Sequence, residues 1–146
     1  MTDANRRSRA SKRARDGGIG AATAKRRVAE RRGIHAEWLA AVYLMLKGYR
    51  ILARRARTPR GEVDLIVRRG SAIVAVEVKA RASLTEALNA VSPRQRQRIA
   101  AGLEIFLAGR PDLAGFDRRV DLIAMRPWRW PIHLLDVIRP GPPNRR

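Results

Sequence analysis

From Glu62 to Ala80 the chain alternates with a period of two, broken once by the turn Arg69-Gly70-Ser71. That pattern predicts two β-strands joined as a hairpin. In the first strand Val63, Leu65 and Val67 share one face, and Glu62, Asp64 and Ile66 share the other. In the second, Val74, Val76 and Val78 share one face. Ile73, Ala75, Glu77 and Lys79 share the other, so the face bearing these two charges is not plainly solvent-facing.

The flanking segments supply cover for such a sheet. His35 to Lys47 is rich in Ala and Leu and predicts a buried helix ended by Gly48. A strand is expected over Tyr49–Arg55 and a turn over Thr58–Gly61. Residues 81–91 are expected to form a loop. Ser92-Pro93 opens a helix to about Ala108 with Ile99, Leu103, Phe106 and Leu107 as its apolar stripe. Arg118–Met125 and Ile132–Ile138 are expected as two more strands. The order α-β-β-β-α-β-β describes an α/β domain with a mixed sheet flanked by helices. No internal repeat is present.

Charge divides the chain further. Its formal net charge is +19, and residues 1–32 carry 11 of the 32 Lys and Arg against only Asp3, Asp16 and Glu30. With few large apolar residues, this N-terminal arm cannot offset its ordering entropy, and most of it is expected to be disordered; from about Thr23 it could extend the first helix. It serves either as a nucleic-acid-binding arm or as a solvated tail. The α/β domain is expected over 33–139 and a Pro-rich tail over 140–146. So strong a positive field attracts polyanions, nucleic acid first among them. The absence of cysteine excludes disulfides, thiolate metal sites and a thiol nucleophile, and fits a reducing cytoplasm. The longest apolar run, Trp38 to Leu46, is nine residues, far short of a membrane span. No signal-peptide pattern follows the basic start. A cytoplasmic protein without a membrane role is expected.

Against this basic background an acidic cluster needs a reason. Glu77 and Lys79 lie about 6.6 Å apart along one strand face, and Asp64 falls on the neighbouring strand, roughly 4.8 Å away laterally. Oxygen ligands of this kind suit Mg²⁺ or Mn²⁺, which can polarise a phosphodiester, while Lys79 stabilises developing negative charge. A cross-strand charge pair or a structural ion-pair network explains the same residues without catalysis.

The runs GYRILARR at 48–55, GEVDLIVRRG at 61–70, VAVEVKARAS at 74–83 and VSPRQRQRIA at 91–100 resemble the bacterial YraN family. These are small proteins of the restriction-endonuclease-like PD-(D/E)xK superfamily, similar in core fold to Holliday-junction resolvases. The resemblance covers about residues 30–138. It implies a restriction-endonuclease-like core, Asp64 and Glu77 as metal-binding acids, Lys79 as the catalytic lysine and Glu37 as an early acid from the first helix. Ala40 and Ala41, one turn later, could let that helix approach the sheet. Glu37 is also what the helix macrodipole favours in a first turn. Glu62 belongs to the same motif in a secondary position, flanking the site or pairing with an arginine. Gln95 stands where related sequences carry Lys. It either lies near the site or, as Ser92-x-x-Gln95 suggests, bonds back to its helix start as a capping box; the cap is favoured. Asp121 is read as structural. His35 and His133 are too isolated to argue as metal ligands.

Arg54, Arg55, Arg57 and Arg60 surround the turn before the acidic motif, and Arg94, Arg96 and Arg98 open the second long helix. Both groups could line a phosphate-binding groove. Trp128 and Trp130 could stack on bases, but at least one is expected to pack over the sheet edge. The expectation is a Mg²⁺- or Mn²⁺-dependent endonuclease acting on nucleic acid, DNA ahead of RNA, with branched or structured DNA in view. A non-catalytic DNA-binding or RNA- or ribosome-associated protein on the same fold is the alternative. Chemistry on two strands would want a two-fold homodimer.

Overall fold

The structure, a computed structural model, describes residues 4–138, with side chains from Gly20 onward. The tail expected over 140–146 lies outside the described residues. The chain divides into two units, one ending at Ile34 and one beginning at His35. The elements are α1 (Ala4–Leu46), β1 (Arg50–Thr58), β2 (Gly61–Arg69), β3 (Ala72–Ala80), α2 (Leu84–Asn89), α3 (Pro93–Ala108), β4 (Asp117–Met125) and β5 (Ile132–Leu134), with a 3₁₀ turn at Pro111–Leu113. The sequence pattern's α-β-β-β-α-β-β order is present, with α2 and the 3₁₀ turn as additions.

Helix α1 begins at Ala4, so the described part of the arm is helical where disorder was expected. Apart from half-buried Gly33, every residue from Gly20 to His35 is exposed. A helix, however, satisfies its own backbone, and Ala, Arg and Lys favour it even without a core. At the other end Gly48, with φ 85, takes the left-handed cap, and the Tyr49 N–H returns to Leu44 O at 3.0 Å.

The five strands follow the order β1-β2-β3-β4-β5. All neighbours are antiparallel except β3 and β4, which run parallel. The connection through α2 and α3 makes that parallel pairing feasible. Ala36, Ala40, Ala41 and Leu44 of α1 pack against Leu65, Val67, Val74, Val76, Val78 and Ile123 on one face. Ile99, Leu103 and Leu107 of α3 pack with Ile66, Ile73, Ala75 and Val120 on the other. Small residues on α1 let its backbone come close, as Ala40 and Ala41 suggested.

Val63 departs from the expected alternation. It joins the α3 side with Ile66, not the α1 side with Leu65 and Val67. The cause lies opposite Asp64, where Arg55 adopts φ 48. A left-handed residue breaks the pleat, and β1 shows the same slip: Ala53 and Ala56, three apart, both pack on the α3 side.

Two further expectations change. The loop at 81–91 contains α2, capped by Ser83 Oγ, which accepts from the Glu86 N–H at 3.2 Å. Strand β5 ends at Leu134 rather than Ile138, because Asp136 turns the chain at φ 51 and its N–H bonds to Asp121 Oδ1 at 2.9 Å.

Gly102, mid-helix in α3, faces β2. A Cβ there would meet Val63 Cγ2 at 2.9 Å. Gly102→Ala should therefore lower stability by about 1–2 kcal/mol, the overpacking outweighing the ~1 kcal/mol gain in helix propensity. Urea denaturation reads the sign directly. Among the described residues no helix is long and apolar enough to cross a membrane.

Candidate active site

Strands β2 and β3 pair from Arg69 and Ala72 as far as Leu65 and Val76, and then part. Asp64 stands at the fork. Its Oδ2 accepts the Val78 N–H at 2.8 Å, taking the place of a strand carbonyl. Glu77, only 4 % exposed, faces the fork from β3. Glu77 Oε1 accepts from Lys79 Nζ at 2.7 Å and from Gln95 Nε2 at 3.0 Å. The shared face inferred from the spacing of Glu77 and Lys79 is thus present, and α3 closes over it.

Gln95 corrects the capping-box expectation. Ser92 Oγ does accept the Gln95 N–H at 3.2 Å, but the Gln95 side chain leaves the helix start and goes to Glu77. The first half of the box is real; in place of the reciprocal bond the Gln95 amide donates to a buried carboxylate, a charge-assisted bond stronger than the neutral one the box would make.

From α1, Glu37 reaches the same neighbourhood. Its Oε2 lies 3.7 Å from Arg55 Nε, too long for a hydrogen bond, and is buried without one. Arg55 Nε donates instead to Glu62 Oε1 at 2.8 Å, and Arg57 Nε lies 3.8 Å from Glu62 Oε2. Glu62 therefore pairs with arginines beside the site. Arg55 is drawn into this carboxylate network and does not stand free on a phosphate-binding rim.

Electrostatics set the acids apart from ordinary surface carboxylates. Burial raises the Asp64 carboxyl to about 7, and the Glu77 charge adds to the rise; the Val78 N–H and Lys79 oppose it. Burial also raises Glu37, against Arg55, with Glu62 and Glu77 contributing to the rise. Mutually repelling acids with an unmatched buried oxygen fit a hard divalent cation with oxygen ligands. Among the described residues no three His, Asp or Glu side chains form a ready-made cage. The carboxylates present are the pair Asp64 and Glu77, with Glu37 beside it, a number that would suit Mg²⁺, which often takes one or two carboxylates and keeps its water.

An open groove of about 860 Å³ adjoins this site, lined by Arg60, Arg94, Gln95 and Arg98 among others. Gln95, the donor to Glu77, also lines this groove. Arg94 and Arg98 are exposed, as are Arg54, Arg57 and Arg60. Arg96 is not available as expected: its Nε donates to Val91 O at 3.2 Å and its guanidinium to Val137 O at 2.9 Å. It ties α3 to the chain after β5.

His133 and Asp121 form a separate cluster that the sequence pattern left unconnected. Asp121 Oδ2 lies 2.8 Å from His133 Nε2, and Arg119 grips both carboxylate oxygens at 2.8 and 3.1 Å. Lys47 Nζ reaches His133 Nδ1 at 3.0 Å. As an ammonium it can only donate, so His133 holds its proton on Nε2, toward Asp121.

The uncharacterised protein family UPF0102 matches residues 36–125. A UPF0102 protein of Mesorhizobium japonicum is 54 % identical over 112 residues, 77 % of this chain and 90 % of that protein. One from Maricaulis maris is 50 % identical over 119 residues, 82 % of this chain and 94 % of that protein. One from Agrobacterium fabrum is 52 % identical over 113 residues, 77 % and 93 % respectively. The matched span includes Glu37, Asp64, Glu77, Lys79 and Gln95.

Proposed function

The chain belongs to the UPF0102 family, the YraN family that its motifs resemble, and we propose that it is a metal-dependent endonuclease hydrolysing phosphodiester bonds in nucleic acid, DNA ahead of RNA, with branched or structured DNA as substrate. The observation that carries this reading is the fork itself. Asp64 and Glu77 lie together where the strands part, Asp64 is raised to about 7 by burial and by the Glu77 charge, and Lys79 sits on Glu77 at 2.7 Å.

Asp64 and Glu77 would hold the ion, Mg²⁺ or Mn²⁺, which when bound supplies Lewis acidity toward the phosphate. Lys79, tethered by Glu77, presents an ammonium to the charge that develops on the phosphorane oxygens as water adds and the bond to the leaving oxygen breaks. Gln95, donating to the same Oε1 as Lys79, fixes the Glu77 carboxylate from α3, and Glu37 completes the acidic wall. Arg60, Arg94 and Arg98 bind phosphates along the groove and bring the backbone toward Gln95. Residence in a reducing cytoplasm and a two-fold homodimer acting on two strands belong to the same proposal.

The test is a labelled panel of single strand, duplex, flap, four-way junction and structured RNA, with Mg²⁺ or Mn²⁺ against EDTA. Cutting that needs the metal and disappears in both Asp64→Ala and Glu77→Ala supports the reading. Tight binding with no cutting in any lane overturns it, and leaves a nucleic-acid-binding protein on this fold.

A further inference from the structure

The loop after β4 leaves the sheet at the same edge as the fork. Parallel pairing sets Lys79 beside Ala124 and Ala80 beside Met125, and the Arg81 N–H donates to Met125 O at 3.1 Å. Residues 126–131 therefore start next to the strand end that carries Glu77 and Lys79. They read Arg-Pro-Trp-Arg-Trp-Pro.

Neither tryptophan packs over the sheet edge, as at least one was expected to. Trp128 is 103 % exposed and Trp130 81 %. An indole left in water forgoes the burial of roughly 150–250 Å² that normally makes tryptophan favourable in a fold. The loop is also shaped to hold them out. The Arg129 N–H closes a turn on Arg126 O at 3.4 Å, Trp128 sits at φ 56, and the Arg126 guanidinium reaches Trp130 O at 3.5 Å. Arg126 Nε is buried with no hydrogen-bond partner among the described residues, leaving an unmatched cationic donor at the foot of the loop.

We propose that Trp128 and Trp130 form a stacking site for unpaired nucleobases beside the carboxylate fork, so that the substrate presents a single-stranded segment or an opened base step next to the bond to be cut. This rests on the nuclease reading and narrows its substrate. Two chemistries have to be met at once, a flat apolar π-surface and flanking positive charge from Arg126 and Arg129 in a chain of net charge +19. A single-stranded nucleic acid offers both, with bases to stack and phosphates to pair. An intact duplex hides its base faces within its own stack and leaves the indoles uncovered.

The experiment uses the full chain and three probes: an oligothymidylate, a blunt duplex, and vesicles of phosphatidylcholine with phosphatidylserine. Trp128→Ala/Trp130→Ala is compared with wild type and with the Phe pair, Trp128→Phe/Trp130→Phe. Trp38 remains as an internal fluorophore, and circular dichroism verifies folding. Binding to oligothymidylate should weaken roughly tenfold or more in the Ala pair, the worth of one or two stacked bases. Duplex binding should change less than about twofold, and the Phe pair should recover most of the loss. Equal losses on both nucleic acids, no loss on either, or an effect confined to the vesicles would overturn the proposal, the last assigning the loop to an anionic membrane surface. Cutting by wild type with unchanged single-strand binding in the Ala pair removes the stacking site and spares the nuclease. Trp-dependent single-strand binding without any metal-dependent cutting supports the stacking site and removes the nuclease.

Discussion

Asp64→Asn is expected to abolish cleavage, by about a thousandfold or more, and at the same time to make the protein more stable above neutral pH. The two effects have one origin. Burial and the Glu77 charge raise the Asp64 carboxyl from 3.8 to about 7 in the folded chain. As pH rises from 3.8, the unfolded chain releases this proton while the folded chain keeps it, so stability falls across that window. Above about 7 both states are ionised and the penalty is fully present. At roughly 1.4 kcal/mol per pH unit the upper limit is about 4 kcal/mol, and water at the half-open fork trims it to about 2 kcal/mol. Asparagine carries no charge to desolvate and can still accept the Val78 N–H. Thermal unfolding of wild type and Asp64→Asn should therefore diverge at about pH 8, with the variant higher, and converge near pH 4. Added Mg²⁺ should raise the wild-type midpoint and leave the variant's unchanged, since a ligand stabilises only the state that binds it. A variant less stable than wild type at alkaline pH would mean that Asp64 is a structural partner, and the site would lose its central residue.

The fork was only half legible in the sequence. Alternation placed Glu77 and Lys79 on one face because β3 is regular from Ala72 to Ala80. It failed at Val63 because the phase slips where Arg55 turns left-handed, and no period-two pattern records a backbone dihedral. Asp64 was recognised as a candidate, but the parting of β2 and β3 that frees its carboxylate is a tertiary event. Gln95 shows a different limit. Ser92-x-x-Gln95 is a valid local signal, and the Ser92 cap forms. The side chain nevertheless has two suitors, and the buried one, Glu77, is 18 residues away. Local patterns describe what a residue can do nearby; they are silent about a charge that the fold delivers later. Trp128 and Trp130 were misjudged for the converse reason. Packing is the sound default for an indole, and its failure here is what gives the loop its meaning.

Asp121→Ala should cost about 3–5 kcal/mol, the range for breaking a buried charged network by removing one partner. Asp121 is fully buried, and four donors meet it: two from Arg119, Nε2 of His133 and the Asp136 N–H. Removing the carboxylate leaves each of these without its acceptor, on a side of the sheet where Val76, its register partner, packs beneath α1. Burial alone would raise this acid, but the bonds from His133, Arg119 and Asp136 outweigh it and hold the carboxyl below its ordinary 3.8. The sign is therefore opposite to that of Asp64. The stability it confers is present above 3.8 and is lost as pH falls through the lower folded value. Wild type should show an acid transition that Asp121→Ala largely lacks, its stability being already spent at neutral pH. Asp121→Asn keeps the size and part of the bonding, and serves as the variant that still folds; any cleavage per folded molecule should match wild type, because nothing in this cluster touches the fork. Loss of cutting in folded Asp121→Asn would instead place the cluster within the active site. Two aspartates of one sheet, Asp121 fully buried and Asp64 half-buried, thus carry opposite energies. The one whose donors outweigh its burial holds the fold together, and the other, raised by burial first and by the Glu77 charge second, works against it above neutral pH.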